Sequence, residues 1–504
     1  MKDSTRFPLW LTSILVAVLA LSRSGLASID DYERWYAVEL GGNRVGWMHQ
    51  KQSTVGDLIT TSSRMEFAFN RDQAGAKISV SGSFVETKSG KPVSMSSMLK
   101  FGRQPTSLQA TFGENEIEVI VTQSGRTERS TRPLPDGTWL TPAAASEFVK
   151  QRMHAGADSI TVRTMSALAG MDPMSALKPT TVERSGRTDT DYEVAGKKVK
   201  ATKWTTTSSA SPSTKATEVV DEAGLPLATD TSMGMMKMVM RIVNEEEAKA
   251  EFAAPEIMVE TFITPDKPIA NPRKTKKATY LLHVAEGEVP AIPATGSQRV
   301  SPVDASSVRV VVDTRSLSPA PEGDATNPLF LACPINVNCN DPEIRNLLTK
   351  AIEKAADNPA ARAEAIRAFV YRHIHKKDLD VGFASASEVA RTRQGDCSEH
   401  GVLTAALLRA NAIPSRVVAG VVYADQFAGG KDIFAYHMWT QALLDVDGKP
   451  TWVDLDATLP PNIPYDATHI ALATASLGED DTQESLASIV LVMGRLKISV
   501  ESAE

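Results

Sequence analysis

Turn signals that recur about every ten residues across residues 29–255 are the feature that most constrains the fold. Runs rich in β-branched and aromatic residues separate these turns, for example residues 35–40 and 45–50 on either side of Gly41-Gly42-Asn43. Strands joined by tight turns pair antiparallel with their chain neighbours, whereas parallel strands need long crossovers. We therefore predict one large antiparallel β domain over residues 29–255, interrupted by a helix at about residues 142–154.

The methionine-rich run at residues 233–240 allows two interpretations. Thioether sulfurs are ligands that suit Cu(I), so a copper site is one hypothesis. However, Met236, Met238 and Met240 alternate along the chain, which is typical of one face of a strand. The alternation favours methionines that fill a core.

The first 27 residues resemble a secretory signal peptide. Lys2 and Arg6 precede an apolar run at residues 7–21, and small residues follow, with cleavage expected near Ala27. This predicts an exported protein (periplasmic, cell-envelope or extracellular) with no integral membrane domain after signal cleavage. An uncleaved anchor is the alternative.

Charge argues against one class of partner. The net charge is −7 over 504 residues, and no basic stripe with interleaved aromatic residues occurs. Nucleic-acid-binding proteins usually carry such a stripe. We therefore expect no nucleic acid partner.

The chain has three cysteines, which are read differently in an exported protein. Cys333 and Cys339 bracket a short loop, and we predict that they form a disulfide. The alternative is two unpaired loop thiols. If Cys333 and Cys339 pair, Cys397 is the odd cysteine, and an odd thiol in an exported chain is a candidate reactive group.

The rest of the chain divides by composition. Proline-rich stretches suggest a linker and a small β module over residues 256–328. Helix-start signals such as Asp341-Pro342 begin a helix-containing domain, which we place at residues 329–475. Residues 476–504 are predicted to be a C-terminal tail or helix.

Cys397 is predicted to lie in the first turn of a buried helix. Gln394-Gly395-Asp396 forms a turn, and an apolar helical segment follows Cys397. The unsatisfied N–H groups and the dipole at a helix N-terminus favour a thiolate. Because Asp396 and Glu399 would oppose that charge, a second activating group is needed.

His437 is the best candidate for that group. Residues 434–444 and 449–455 read as two strands of a hairpin with a turn at 445–448. If Leu444 faces Lys449, His437 lies directly opposite Asp456, which could orient the imidazole. Asp454 lies on the same face, opposite Trp439, and is the alternate orienter.

Cys397, His437 and Asp456 supply the three roles of thiol-based acyl transfer: nucleophile, proton carrier and orienting carboxylate. The backbone N–H of Cys397 is expected to help stabilise the oxyanion. Gln394, His400 and Trp439 could line the site, although Trp439 fits core packing equally well.

Zinc held by Cys397, His400, His437 and an aspartate is a competing hypothesis. The spacing lacks the usual zinc patterns, so we predict no metal and no cofactor.

These motifs together resemble the transglutaminase-like superfamily over residues 341–465. The resemblance rests on Gly395–His400, the segment Ala406–Gly420, His437-x-Trp439 and Trp452-x-x-x-Asp456. It implies an α+β, papain-like core in which a helix with the cysteine packs on an antiparallel sheet with the histidine and aspartate. It also implies that Cys397, His437 and Asp456 are the triad and that residues 329–475 are the catalytic domain.

The chain departs from the pattern of that superfamily at several positions. Met438 and Ala457 replace an alanine and a proline that are frequent there, and Gln441 replaces a frequent glutamate. No tryptophan shortly precedes Cys397, where animal transglutaminases supply an oxyanion donor. The exported architecture resembles bacterial members, often considered cysteine peptidases or amidases.

Two functional hypotheses follow. The first is an exported cysteine-dependent acyl-transfer enzyme (peptidase, amidase or acyltransferase) that acts on a protein or peptide substrate through a thioester. The second is a non-catalytic binding or scaffold protein that retains the fold. The identity of any partner protein stays open.

Overall fold

The computed structural model describes nearly the whole chain after residue 29. The predicted signal peptide and its cleavage site lie outside the described residues. The described ranges are 30–71, 74–101, 105–123, 125–168, 173–233, 236–256, 258–285, 287–377, 384–478, 489 and 492–504.

The N-terminal half forms one 14-stranded antiparallel sheet, as predicted. Two meanders, β1–β8 and β9–β14, join where β1 pairs with β14, so the first and last strands are neighbours within the sheet. The strands are β1 (Tyr32–Leu40), β2 (Asn43–Val55), β3 (Leu58–Arg71), β4 (Ala74–Thr87), β5 (Pro92–Phe101), β6 (Pro105–Phe112), β7 (Glu116–Gln123), β8 (Arg126–Pro133), β9 (Ile160–Thr164), β10 (Thr180–Val194), β11 (Lys197–Ser208), β12 (Ser211–Val220), β13 (Pro226–Met233) and β14 (Met236–Val243).

The predicted helical insertion is α1 (Pro142–His154), and the short α2 (Glu245–Lys249) follows β14. Proline at the first position of α1 suits a helix start, because its missing N–H would have no partner there. On β14, Met238 and Met240 pack against a core cluster that includes Tyr36 and Met48. Their alternation therefore serves packing between the strand and its neighbours.

The C-terminal half has three layers. The middle layer is a four-stranded antiparallel sheet in the order β20-β19-β18-β21. Helices cover one face, and a second four-stranded sheet, in the order β16-β17-β15-β22, covers the other. The elements are β15 (Lys277–Val284), β16 (Gln298–Asp304), β17 (Ser307–Asp313), α3 (Pro342–Ile352), α4 (Pro359–His373), α5 (Ala386–Thr392), α6 (Cys397–Ala410), β18 (Ser415–Phe427), β19 (Gly430–Val446), β20 (Lys449–Leu455), β21 (His469–Ala475) and β22 (Leu496–Ala503).

The expected tail or helix at the C-terminus is wrong for residues 496–503, which form β22 and pair with β15. Leu496, Ile498 and Val500 alternate with more exposed residues and are buried. Such alternation requires a sheet with one covered face. The strand β22 is therefore part of the small β module.

The predicted disulfide between Cys333 and Cys339 is present, with the two Cα atoms 5.3 Å apart. It closes the loop that leads into α3, whose N-cap is Asp341. Within the described ranges, no helix is both long and apolar enough to cross a membrane.

Candidate active site

A tight turn places Cys397 at the first position of α6. Arg393 ends α5 in the left-handed region (φ 56°), and Gly395 has φ 146°. A Cβ on Gly395 would lie 2.3 Å from the Cβ of Glu399. Only glycine fits this close approach, so it fixes how Cys397 enters the helix.

A capping box begins α6. The Asp396 carboxylate accepts the N–H of Ser398 (2.8 Å), and the Glu399 carboxyl lies 2.9 Å from the N–H of Asp396. These bonds satisfy donors that a helix N-terminus otherwise leaves open. Cys397, which is not part of the disulfide, is half-buried at this end of the helix.

Glu399 does not oppose a thiolate in the way that the sequence suggested. Its side chain is buried, and burial together with the Asp396 carboxyl raises the pKa of Glu399 well above its usual range. A carboxyl with a raised pKa carries less negative charge near neutral pH. The electrostatic opposition to a Cys397 thiolate is therefore smaller than expected.

Helix α6 packs directly on β19, the strand that carries His437. The Thr440 hydroxyl donates to the carbonyl oxygen of Gly401 (2.9 Å), one turn along the helix from Cys397. A Cβ on Gly401 would lie 3.5 Å from the side chain of Met438. This is an ordinary packing distance, so α6 lies against the strand segment next to His437.

His437 contacts Asp456. Its Nε2 lies 2.9 Å from Asp456 Oδ2, while the Thr458 N–H and hydroxyl donate to Oδ1 at 2.8 and 2.7 Å. The pKa of Asp456 lies well below its usual range, because His437 and His469 together outweigh the opposing effect of burial. An ionised Asp456 only accepts hydrogen bonds, so His437 Nε2 carries a proton and Nδ1 is left to exchange one.

The contact arises from a different hairpin register than expected. Val446 pairs with Lys449 across a two-residue Asp447-Gly448 turn, so the predicted pairing of Leu444 with Lys449 is wrong. Both turn residues have positive φ (53° and 77°), as the tightest hairpin loops require. Asp456 follows the last residue of β20 and reaches His437 diagonally, on the same face.

Asp454, the alternate orienter, holds Trp439 instead of His437. It accepts hydrogen bonds from Trp439 Nε1 (2.9 Å), Gln441 Nε2 (2.8 Å) and the Ser297 hydroxyl (3.1 Å). Burial raises the pKa of Asp454. Trp439 is buried, and its ring stacks at 6.0 Å from that of His437. It is therefore both a core residue and a wall for the imidazole.

His400 and Gln394, the other candidate lining residues, flank Cys397 in sequence. His400 Nδ1 donates to the Asp396 carbonyl at 2.6 Å, and burial lowers the pKa of His400 to about 4. His400 is thus neutral near pH 7. Gln394 is half-buried, and its backbone forms an isolated β-bridge with that of Lys376. In the described part of the chain, His400 Nε2 and Gln394 Oε1 are buried without a hydrogen-bond partner.

Sequence reasoning missed His469, which begins β21. Its Nε2 lies 3.2 Å from Asp456 Oδ2, the same oxygen that His437 contacts. Hydrogen bonds to Asp456 and Asp466 raise the pKa of His469 to about 9, against the effect of complete burial. No local motif marks this residue, because pairing of β21 with β18 brings it to the site.

One group of side chains has the spacing of a metal site, but hydrogen bonding explains it without a metal. His437, Asp456 and His469 present ligand atoms within 4.8 Å of one another, and this is the grouping found among the described residues. However, the histidine nitrogens that face Asp456 are hydrogen-bond donors to its ionised carboxylate. The zinc hypothesis used a different set that included Cys397 and His400.

Residues 347–457 match the family model of the transglutaminase-like superfamily. The resemblance to that superfamily is therefore confirmed, and the chain contains a transglutaminase-like domain. The matched segment includes Cys397, His437 and Asp456 and ends before His469.

Three solved structures are similar to parts of the chain. A β-barrel-like protein of a domain of unknown function from Brucella abortus shares 13% identity (TM-score 0.34), over 42% of this chain and 96% of that one. A candidate cysteine protease from Cytophaga hutchinsonii shares 16% identity (TM-score 0.27), over 45% and 86%. The periplasmic domain of TgpA from Pseudomonas aeruginosa, bound to ethylmercury, shares 15% identity (TM-score 0.26), over 39% and 87%. The comparison with curated proteins found no match.

Proposed function

We propose that this protein is an exported cysteine-dependent acyl-transfer enzyme of the transglutaminase-like type, with Cys397, His437 and Asp456 as its triad. The observation that carries the proposal is the 2.9 Å contact between His437 Nε2 and Asp456 Oδ2. This contact lies beside α6, whose first residue, Cys397, is not part of the disulfide. Asp456 is 2% exposed, whereas 10% of the His437 side chain is exposed. This pattern suits a buried orienter and an accessible proton carrier.

The reaction begins when the Cys397 thiol gives its proton to His437 Nδ1. The thiolate then attacks the carbonyl carbon of a peptide or amide bond and forms a tetrahedral oxyanion. His437 returns the proton to the leaving amine as the C–N bond breaks, and a thioester on Cys397 remains. Asp456 stabilises the intermediate imidazolium and keeps its Nδ1 directed to the reacting atoms.

Water or a second amine resolves the thioester. If water attacks, the protein is a peptidase or amidase. If an amine attacks, it is an acyltransferase that forms a new amide bond. In both cases His437 accepts a proton from the incoming nucleophile, and the Cys397 sulfur is the leaving group.

Export is supported by the disulfide between Cys333 and Cys339, because disulfides persist in oxidising compartments. The hydrophobic leader predicted from the sequence agrees with such a location. A protein or peptide substrate outside the cytoplasm is therefore the proposed partner.

Trapping of the acyl-enzyme tests the proposal. The protein is incubated with a peptide mixture, with and without a primary amine, and quenched in acid for mass spectrometry of the Cys397 peptide. We expect an acyl adduct on Cys397 that is absent in Cys397→Ala, and products that are either hydrolysed or amine-linked. A lack of adduct and of product across the mixture would favour the non-catalytic scaffold.

A further inference from the structure

His469 lies in a buried position between two carboxylates. Its Nε2 is 3.2 Å from Asp456 Oδ2. Its Nδ1 is 3.1 Å from the carbonyl oxygen of Asp466 and 3.5 Å from Asp466 Oδ1. The side chain has no exposed surface, so water cannot replace either set of partners.

The partners of His469 favour a positively charged ring. Both of its nitrogens face oxygens of ionised carboxylates or of a carbonyl, which only accept hydrogen bonds. A neutral imidazole has only one N–H, so its unprotonated nitrogen would direct a lone pair at an oxygen that cannot donate a hydrogen bond. The doubly protonated ring satisfies both sides and neutralises one buried negative charge.

The groups around His469 hold this charge in place. Asp466 is fixed by Arg273 Nη1 (2.8 Å) and by the N–H and hydroxyl of Thr468 (2.9 and 2.5 Å). The rings of Tyr465 and Trp439 pack against the imidazole at 4.4 and 5.4 Å. Among the described residues, the titratable or charged groups that face His469 are Asp456, Asp466, His437, Asp454, Tyr465 and, through Asp466, Arg273.

Asp456 is consequently shared between two histidines. His437 and His469 both donate to its Oδ2, while Thr458 occupies Oδ1. We infer that His469 is a positioning residue of the triad: a buried imidazolium that holds Asp456 in place and opposes a second positive charge on His437. This inference deepens the proposed function and rests on it for its kinetic consequence.

The strength of the repulsion between charged His437 and charged His469 follows from the distance between their rings. The ring centroids of His437 and His469 are 5.9 Å apart. Two unit charges at that separation, with an effective dielectric constant of about 20, repel strongly enough to change a protonation equilibrium by about 100-fold. His469 thus weakens the proton affinity that Asp456 confers on His437, so His437 can return its proton to the leaving amine more easily.

The His469→Gln variant isolates the charge. A glutamine amide can still donate to Asp456, but it removes the positive charge. In the full-length protein labelled with ¹⁵N-histidine, NMR titration reports the protonation of both rings. We expect both nitrogens of wild-type His469 to be protonated at about pH 7, and the His437 signals to titrate at a higher pH in His469→Gln than in the wild type, because one nearby positive charge is gone. A neutral His469, or an unchanged His437 titration in the variant, would overturn the inference.

A second variant keeps the test open if His469→Gln does not fold. Asp466→Asn removes the other anion next to His469, so His469 should lose its proton at a lower pH than in the wild type. An unchanged His469 titration in that variant would contradict the inference.

The NMR readout is separate from catalysis. Alkylation of wild-type Cys397 is measured on the same samples. If Cys397 titrates as an ordinary thiol while His469 is charged, the proposed function fails and the charge assignment stands. If Cys397 is activated and His469 is neutral, the charge assignment fails and the proposed function stands.

Discussion

The substitution Asp456→Asn should uncouple Cys397 from His437. All four acceptor positions of Asp456 are used, two by Thr458 and one each by His437 and His469. An asparagine has one acceptor oxygen and one NH₂ group. If its oxygen faces Thr458, its NH₂ faces His437, which must then accept at Nε2 and carry its proton on Nδ1. That tautomer cannot take a proton from the thiol.

Two estimates give the expected loss of Cys397 reactivity in Asp456→Asn. Two unit charges about 4 Å apart attract each other by about 4 kcal/mol at an effective dielectric constant of about 20, so loss of the Asp456 charge is large enough to abolish a thiolate–imidazolium pair. If Asp456→Asn leaves Cys397 as an ordinary thiol, about 3% of it is ionised near pH 7, whereas a thiol paired with an imidazolium is nearly all ionised. We therefore expect alkylation of Cys397 near neutral pH to slow by about 30-fold. Turnover, which also needs His437 as a proton donor, should fall by about 10²- to 10⁴-fold.

The assay is the rate of Cys397 alkylation as a function of pH, with Asp454→Asn as the matched control. Asp454 is the neighbouring carboxylate on the same face, and it accepts bonds from Trp439, Gln441 and Ser297. Its replacement should shift the profile far less than Asp456→Asn. An Asp456→Asn profile equal to the wild type, or a larger effect of Asp454→Asn, would refute the assignment of Asp456 as the orienter.

Three further predictions follow from the structure. Glu399→Gln should alter Cys397 alkylation by less than about threefold near pH 7, because the raised pKa of Glu399 already reduces its charge; a large acceleration would show an ionised Glu399. The folded pKa of His469, about 9, exceeds the ordinary 6.5, so its stabilisation is full below pH 6.5 and is lost as pH rises through 9. Urea titrations should show a loss of up to about 3 kcal/mol across that window, absent in His469→Gln. Replacement of Cys333 and Cys339 by serine should lower the free energy of unfolding by about 2 kcal/mol, with no change if the disulfide adds no stability.

The antiparallel region was predictable because its information is local. Each tight turn joins strands that are neighbours in sequence, and alternation shows which face is buried. The pairing of β1 with β14 had no such signal, since about two hundred residues separate those strands. The same holds for β22, whose partner β15 lies far back in the chain.

The candidate site was predictable where local chemistry determines it. The turn at Gly395, the cap at Asp396 and the first position of α6 follow from adjacent residues. The hairpin register was wrong because a two-residue turn at Asp447-Gly448 replaced the expected four-residue loop. The contact between His437 and Asp456 still forms, because a shift of two residues keeps side chains on the same face.

The charge states of His469 and Glu399 could not be predicted from the neighbouring sequence. His469 approaches Asp456 only after β21 has paired with β18, and nothing in its neighbouring residues indicates a charged buried histidine. Glu399 reads as a negative charge beside Cys397, whereas burial and the nearby Asp396 raise its pKa. Both effects depend on tertiary packing, which sets desolvation and charge pairing together.

The pH dependence of Cys397 alkylation in the wild type and in His437→Ala tests the central claim most directly. Activation by His437 predicts a reactive plateau well below about pH 8 in the wild type, since an ordinary thiol ionises near 8.5. The plateau should be lost in His437→Ala. A slow titration like that of a free thiol, unchanged by His437→Ala, would contradict an activated thiolate–imidazolium pair and with it the proposed enzyme.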